Sequence, residues 1–327
     1  MKARHIPWRA LAAAIALITT MSACGAGTTD SAGAGGNAAG PKIRLAVGVD
    51  PSYAPIFLAQ EKGLFAKHGV NVDVVQFGKG GDAVDAIASG QVQLAGSSDT
   101  TAIGTLQQNP DLRALLVYEA SGKYLKVVER KNIGDPSQIK KMAIVPGLSE
   151  LAATRFLESK KIDPKTVKFV TADPPEIPAL LQKGNIDAYV LWEPWPTKGA
   201  QLGGKIVENT GDYGLSYVQW LITGNKWLSA NQSAAGKVAQ AIDEAAKLTE
   251  SDPQAAAEAT QKAAKAPTAQ TVAAIKEIDF GVRDITAADL KGYESTADFF
   301  LQTGKVKSKP DVNAAVIQNW FTRHAGK

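Results

Sequence analysis

Residues 87–96 read IASGQVQLAG and residues 180–190 read LLQKGNIDAYV. In each, a helical pattern runs into a glycine, a short turn and an apolar strand, so one supersecondary unit occurs twice. Upstream of the first copy lie a buried-strand run, IRLAVGV (43–49), the loop DPSYAP, a helical stretch IFLAQEKGLFAKH (56–68) and a second strand, NVDVVQF (71–77). GKGG and the helix DAVDAIAS follow, closed by Gly90, and VQLAG (92–96) is the third strand. The second copy has the same order: KMAIV (141–145), the loop PGLS, the helix ELAATRFLESKK and the strand TVKFVT (166–171). DPPEIPALLQKG (173–184) then predicts a helix with Asp173 as N-cap, Pro174 in the first turn and Glu176 completing a capping-box-like pair. IDAYVL (186–191) closes the unit. The pattern predicts an α/β fold of two lobes, each a small doubly wound sheet. From Asn225 onward the pattern is helical, with N-caps at Thr268 and Thr286, a start at Asp252-Pro253 and a stop at Gly304. The Ala-rich stretch between Ser233 and Ala266 lacks sustained heptads, which favours packed surface helices over a coiled coil.

Composition narrows the function. The chain has 327 residues with 45% apolar, 21% charged and 7% aromatic content. One cysteine excludes an internal disulfide framework and any Cys-based zinc or iron–sulfur site. Three separated histidines leave little for metal ligation or a Ser–His or Cys–His nucleophile. A formal charge of +4 gives no support for a nucleic-acid partner.

The first residues read as an address. Lys2, Arg4 and Arg9 precede an apolar run from Ala10 to Met21, too short to span a bilayer but suited to a secretory signal. Residues 1–23 are therefore expected to be a signal peptide. Met21-Ser22-Ala23-Cys24-Gly25 resembles a bacterial lipobox, in which Cys24 becomes the lipidated first residue; Met21 departs from the usual Leu. The competing reading is an ordinary signal with a stray cysteine. Residues 24–40 then form a lipidated cysteine and a flexible Gly/Ala-rich tether with hardly a side chain to bury.

In open α/β sheets, ligands sit beyond the carboxyl ends of the strands. That rule selects the loops Asp50–Tyr53, Gly78–Gly81, Gly96–Thr100, Pro146–Ser149 and Trp192–Trp195. Several are rich in Gly and Ser and open directly into helices, an arrangement that presents backbone N–H groups and the positive helix end to an anion. The expected binding residues are Asp50, Tyr53, Gly78, Ser98, Asp99, Gly147, Leu148, Ser149, Trp192 and Glu193. Flanking prolines stiffen the loop of Tyr53. Gly147 admits a ligand close to the backbone, while Ser149 either donates a hydroxyl or caps its helix. Trp192 can stack on a ligand or wall the cleft. Asp99 and Glu193 either face an ammonium on the ligand or pair with lysines and loop amides. GKGG lacks the Lys-Ser/Thr ending of a phosphate-binding P-loop, so a plain strand-to-helix turn is the better account.

VGVDPSYAPIFLAQEKGLFAKHGVNVDVVQFGKGGDAVDAIASGQVQLAGSSD (47–99), VPGLSE (145–150) and GNIDAYVLWEPWPTKGAQ (184–201) resemble ABC-transporter substrate-binding proteins of the sulfonate/nitrate/taurine type. Binders of thiamine pyrimidine precursors share the opening. The similarity runs over roughly 43–325. It implies a type II periplasmic-binding-protein fold with crossovers near Tyr124–Arg130 and Asp212–Gly224. Lobe 1 would comprise 41–124 and 220–327, and lobe 2 would comprise 125–219. It also implies a monomer that captures a small anionic or zwitterionic solute and delivers it to ABC permease subunits outside the cytoplasmic membrane, held there by its lipid. Ser98, Gly147, Ser149 and Glu193 carry over as ligand-loop positions. Gln93 departs from the aspartate usual after G-x-V, whereas Asp187 keeps that acid in lobe 2, in a structural role. No catalytic residue, metal or cofactor is expected. An enzyme on the same fold would have only Asp99 and Glu193 as an acid–base couple.

Overall fold

The computed structural model describes residues 40–325. The expectations for the signal, Cys24 and the tether up to residue 39 lie outside the described residues. The chain begins with β1 (Ile43–Val47), α1 (Ala54–Glu61), α2 (Leu64–Lys67), β2 (Val72–Gln76), α3 (Gly80–Ala88), β3 (Leu94–Ser98), α4 (Asp99–Thr105) and β4 (Leu112–Ser121). It crosses into β5 (Leu125–Arg130), β6 (Lys141–Ile144), α5 (Leu148–Ser159), β7 (Lys168–Thr171), α6 (Ile177–Gln182), β8 (Ala188–Trp192), α7 (Trp195–Gln201) and β9 (Gly204–Asn209). It returns as β10 (Tyr217–Gly224), α8 (Asn225–Ser251), α9 (Pro253–Ala264), α10 (Thr268–Ile275), β11 (Asp279–Arg283), α11 (Ala287–Gln302), α12 (Val312–Ala315) and α13 (Trp320–His324).

The two sheets share a plan. Lobe 1 has the order β11-β4-β10-β3-β1-β2 and lobe 2 the order β7-β6-β8-β5-β9. In each, three parallel strands come from the repeated unit, and the next strand is an antiparallel one that has just crossed from the other lobe, β10 or β5. The shared trios explain the matching sequence phrases. The inner strands β1, β3, β6 and β8 are mostly buried and read as short runs of apolar and small residues, whereas the outer strands β2 and β7 are only partly covered.

The crossings are short. One spans 122–124, and Tyr124–Arg130 is mostly strand β5; the other spans 210–216, with lobe 1 resuming at Tyr217 rather than at 220. They touch backbone to backbone: the Gly211 N–H donates to the Gly122 carbonyl at 2.7 Å. A Cβ on Gly211 would lie 2.8 Å from that same oxygen, so no side chain fits between the two segments.

Local chemistry decides where the elements differ from expectation. The stretch 56–68 breaks into α1 and α2 because Gly63 adopts a left-handed conformation (φ 66°). Asp173 does not cap a helix: residues 174–176 form a turn closed by the Glu176 N–H donating to the Asp173 carbonyl (3.0 Å), and α6 starts only at Ile177. Thr268 is the first helical residue rather than the cap, and its hydroxyl donates to Gln261. Thr286 does form a capping box with Asp289, Asp252 caps α9, and Gly304 (φ 70°) ends α11. The C-terminal third also contains β11, and β4 precedes the first crossing; neither strand is foreseen from the pattern.

Candidate functional site

Between the lobes, the carboxyl ends of the parallel strands enclose a cavity of ≈ 440 Å³, within the range for small-molecule sites. Lobe 1 contributes Asp50, Tyr53, Ser98 and the start of α3, and lobe 2 contributes the turn Val145–Ser149 and Trp192. Seven of the ten expected residues line it: Asp50, Tyr53, Ser98, Gly147, Leu148, Ser149 and Trp192. Gly78, Asp99 and Glu193 do not.

Each lining residue is placed by a local device. Asp50 turns its Oδ1 inward, where it accepts from the Ser52 N–H (3.0 Å), the Ser52 hydroxyl (2.6 Å) and the Tyr124 hydroxyl (2.8 Å). Burial pushes its pKa up, partly offset by the Ser52 and Tyr124 hydrogen bonds. The Tyr53 ring lies flat against β-strand ends where only glycine fits: a Cβ on Gly48 would be 2.5 Å from the ring and one on Gly96 would be 3.1 Å away. Ser98 caps α4 by accepting from the Thr101 N–H at 3.1 Å. Ser149 neither caps its helix nor reaches out as a free donor. Its hydroxyl donates to the Val190 carbonyl (2.7 Å) and accepts from the Val145 N–H (3.2 Å), tying β6 to β8 beneath the loop. The cap position belongs to Gly147, with φ 93° and ψ −117°, a conformation closed to most side chains. A Cβ there would be 3.2 Å from Thr101 of the opposite lobe.

Three expectations need correction. Glu193 is buried on the lobe 2 side, where its carboxylate pairs with Lys126 at 2.7 Å and accepts from the Thr197 N–H. Lys126 also reaches Glu277 of lobe 1 at 2.6 Å. Burial alone would lower the Lys126 pKa; the hydrogen bonds it donates to the two glutamates hold it above its ordinary value. Asp99 folds back on its own helix start, accepting from the Thr100 N–H (2.5 Å) and the Thr100 hydroxyl (3.0 Å). Asp99 and Glu193 therefore face no common space and form no acid–base couple. Gly78 is exposed at the edge of its loop, while Lys79, Gly80 and Gly81 line the cavity instead. Asp187 holds the structural post expected of it, accepting from Arg130 (2.6 Å) and the N–H groups of Lys140 and Lys141.

Other lining residues escape sequence reasoning. Tyr217 arrives with the returning strand, Phe300 comes from the last turn of α11 and Lys305 from just past its end, far along the chain from the strand-end loops. Lys305 bridges the cleft to Glu150 (2.9 Å), as Lys79 does to Asp173 (3.1 Å). Behind the floor, the Gln219 amide bonds to Ser52 and Tyr217, and the Tyr217 hydroxyl bonds to Ser52. Glu119 is wholly buried next to this network, and its pKa is pushed far up by burial and by the nearby Asp50 charge.

Asp99 gives a pH test. Burial raises its pKa from 3.8 to about 7, with the Thr100 hydrogen bonds opposing. Between these values the unfolded chain ionises Asp99 while the folded protein keeps it protonated. Its contribution to stability therefore declines as pH rises through this window and is at its worst above about 7. Asp99→Asn removes that slope. Thermal melts should show the Tm of the variant gaining several degrees on the wild type between pH 4.5 and pH 8; parallel curves would refute it.

The sequence from 36 to 264 matches the family model described as the NMT1-like family. The taurine-binding periplasmic protein of Escherichia coli K12 is 31% identical over 183 residues, which is 54% of this chain and 55% of that protein. The chain thus matches about half the length of that relative. Among solved structures, the alkanesulfonate-binding protein SsuA of Xanthomonas axonopodis pv. citri bound to MOPS superposes with a TM-score of 0.75 at 17% identity, covering 84% of this chain and 98% of that one. The aliphatic sulphonate binding protein SsuA of Escherichia coli gives a TM-score of 0.75 at 20% identity, covering 85% and 92%. These likenesses show the fold, the two-lobed periplasmic-binding-protein architecture.

Proposed function

The chain belongs to the NMT1-like family, and from that premise we propose that it is the extracytoplasmic solute-binding component of an ABC importer, capturing a small sulfonate-type solute between its lobes without chemical change. The observation that carries this is the cavity itself: helices α3 and α5, one from each lobe, begin at its wall with Gly80–Gly81 and Gly147–Leu148. Their first-turn N–H groups supply donors for an anionic head without a free cation. Contacts from both lobes favour the closed form, so binding and closure are one equilibrium. The permease then receives the closed body, and Cys24 holds that body at the outer face of the membrane by its lipid.

Aromatic walls favour a second ligand class. Tyr53, Trp192, Tyr217 and Phe300 line the same cavity, which suits a flat ring such as a thiamine pyrimidine precursor.

Thermal melts with ethanesulfonate, taurine, nitrate and a hydroxymethylpyrimidine separate these readings. A solute present at a hundred times its Kd adds about 2.7 kcal/mol, and the expected result is a rise of several degrees with a sulfonate. A rise with the pyrimidine alone would transfer the assignment, and no rise with any of the four would reject both.

A further inference from the structure

The outer edges of the two lobes carry charge differently. In lobe 2 the starts of β6, β7, β8 and β9 and the end of β5 lie together at the edge opposite the cavity. Backbone bonds tie these connections together: the Lys168 N–H donates to the Lys140 carbonyl (2.8 Å) and the Asp187 N–H to the Lys141 carbonyl (2.8 Å). Lys131, Lys140, Lys141, Lys165, Lys168 and Lys183 all stand exposed there. None of them has an ion-pair partner among the described residues; the paired cations of this lobe are Lys126, Arg130, Arg155 and Lys160. Asp187 is taken by Arg130, while Asp135 and Asp163 accept from N–H groups of their own turns and leave the lysines in excess. In lobe 1 the corresponding edge is balanced. Lys42 pairs with Asp73 and Lys67 with Glu244, and the connection from α3 to β3, SGQVQ (89–93), carries no charge.

Within lobe 2 this excess costs stability. Lys141 and Lys168 are direct partners on neighbouring strands, and like charges placed opposite each other repel. A small enclosed anion does not resolve the repulsion. Lys131 and Lys183 flank a recess of ≈ 310 Å³, but α6 and α7 end at it, and the negative ends of helices disfavour an anion inside. Charges spread over three connections suit a broad anionic surface instead.

We propose that this basic edge of lobe 2 is a docking surface for an anionic phospholipid bilayer. The proposal rests on the importer reading above, which puts the body at the outer face of a membrane, where the bilayer is the anionic surface within reach. The edge lies at the opposite end of the lobe 2 strands from the cavity, so docking leaves the solute site clear of lipid. Attraction of this kind acts within about one Debye length of the headgroups and disappears in high salt.

Co-sedimentation with vesicles tests it, using the mature chain (24–327) produced without the signal and therefore without lipid. The wild type should sediment with an equal mixture of phosphatidylglycerol and phosphatidylcholine, not with phosphatidylcholine alone, and should come off in about 0.5 M sodium chloride. Combining Lys141→Gln, Lys168→Gln and Lys183→Gln should weaken binding by about fivefold per lysine, or about a hundredfold together. Combining Lys67→Gln, Lys247→Gln and Lys262→Gln removes the same net charge from lysines of lobe 1 that are already paired, and should change binding little. Equal losses in the two triple variants overturn the proposal, because net charge and not this edge would then be acting. Failure to sediment with anionic vesicles also overturns it, as does binding to heparin without binding to vesicles, which would make the partner an acidic polymer. The solute melts described above, run on the same proteins, keep the two readings apart. A solute shift without vesicle binding removes the docking surface alone; vesicle binding without any solute shift removes capture and leaves the docking surface standing.

Discussion

Gly147→Val is expected to weaken solute binding by about tenfold to a hundredfold, because it fills the place where the lobes approach each other. A bare Cβ at this position already lies 3.2 Å from the Thr101 Oγ1 and 3.5 Å from the Thr101 Cα of the opposite lobe. The γ-carbons of valine project further, and overpacking of this kind costs about 1–3 kcal/mol. Here that cost falls on the closed state, where both lobes touch the solute. The substitution also strains the backbone, since φ is 93°. Gly203→Val separates the two effects: that glycine has the same φ of 93° but open space around its Cβ position. Both variants should melt earlier, and calorimetry should find lost affinity in Gly147→Val alone. Equal affinities would show that the lobes do not close on this contact.

Lys126→Met should lower the melting temperature by about 10 °C. The lysine is the shared cation of Glu193 and Glu277, and it and Glu193 are both buried. Removing one partner of a buried pair costs about 3–5 kcal/mol, because the remaining charge is left without compensation, and each kcal/mol moves Tm by about 2–4 °C in a protein of this size. Adding Glu193→Gln to Lys126→Met should recover much of the loss, a coupling that a double-mutant cycle in thermal melts measures. A single variant melting within a degree or two of the wild type would mean that solvent already screens the triad.

Much of the fold was legible because the lobes repeat. Each parallel trio is a local βαβ unit whose periodicity and glycine stops lie within one short stretch, as in IASGQVQLAG and LLQKGNIDAYV. β4 and β11 were not foreseen: they are antiparallel strands that pair only after the chain has returned from elsewhere. The site divides in the same way. Loops at strand ends could be read from position alone, which found Asp50, Tyr53 and the Gly147 turn. Which way an acid faces depends on cations distant in sequence. Lys126 lies far upstream of Glu193 and Glu277 well downstream, so nothing near the Trp192–Trp195 segment signals that its acid is taken. Phe300 and Lys305 were invisible for the same reason.

The bare glycine contact where the chain passes between lobes also governs how the molecule opens. With Gly122 and Gly211 joined by a hydrogen bond and no side chain between them, the two strands of the spine must flex together, and the lobes swing like covers of one book. Displacement then grows with the lever arm from that spine. Tyr124, two residues from Gly122, bonds to Asp50 close to that spine, whereas the bridges from Lys79 and Lys305 span the cleft and would be the ones to part on opening. An arriving solute would thus find the floor already assembled and would need only to bring the covers together.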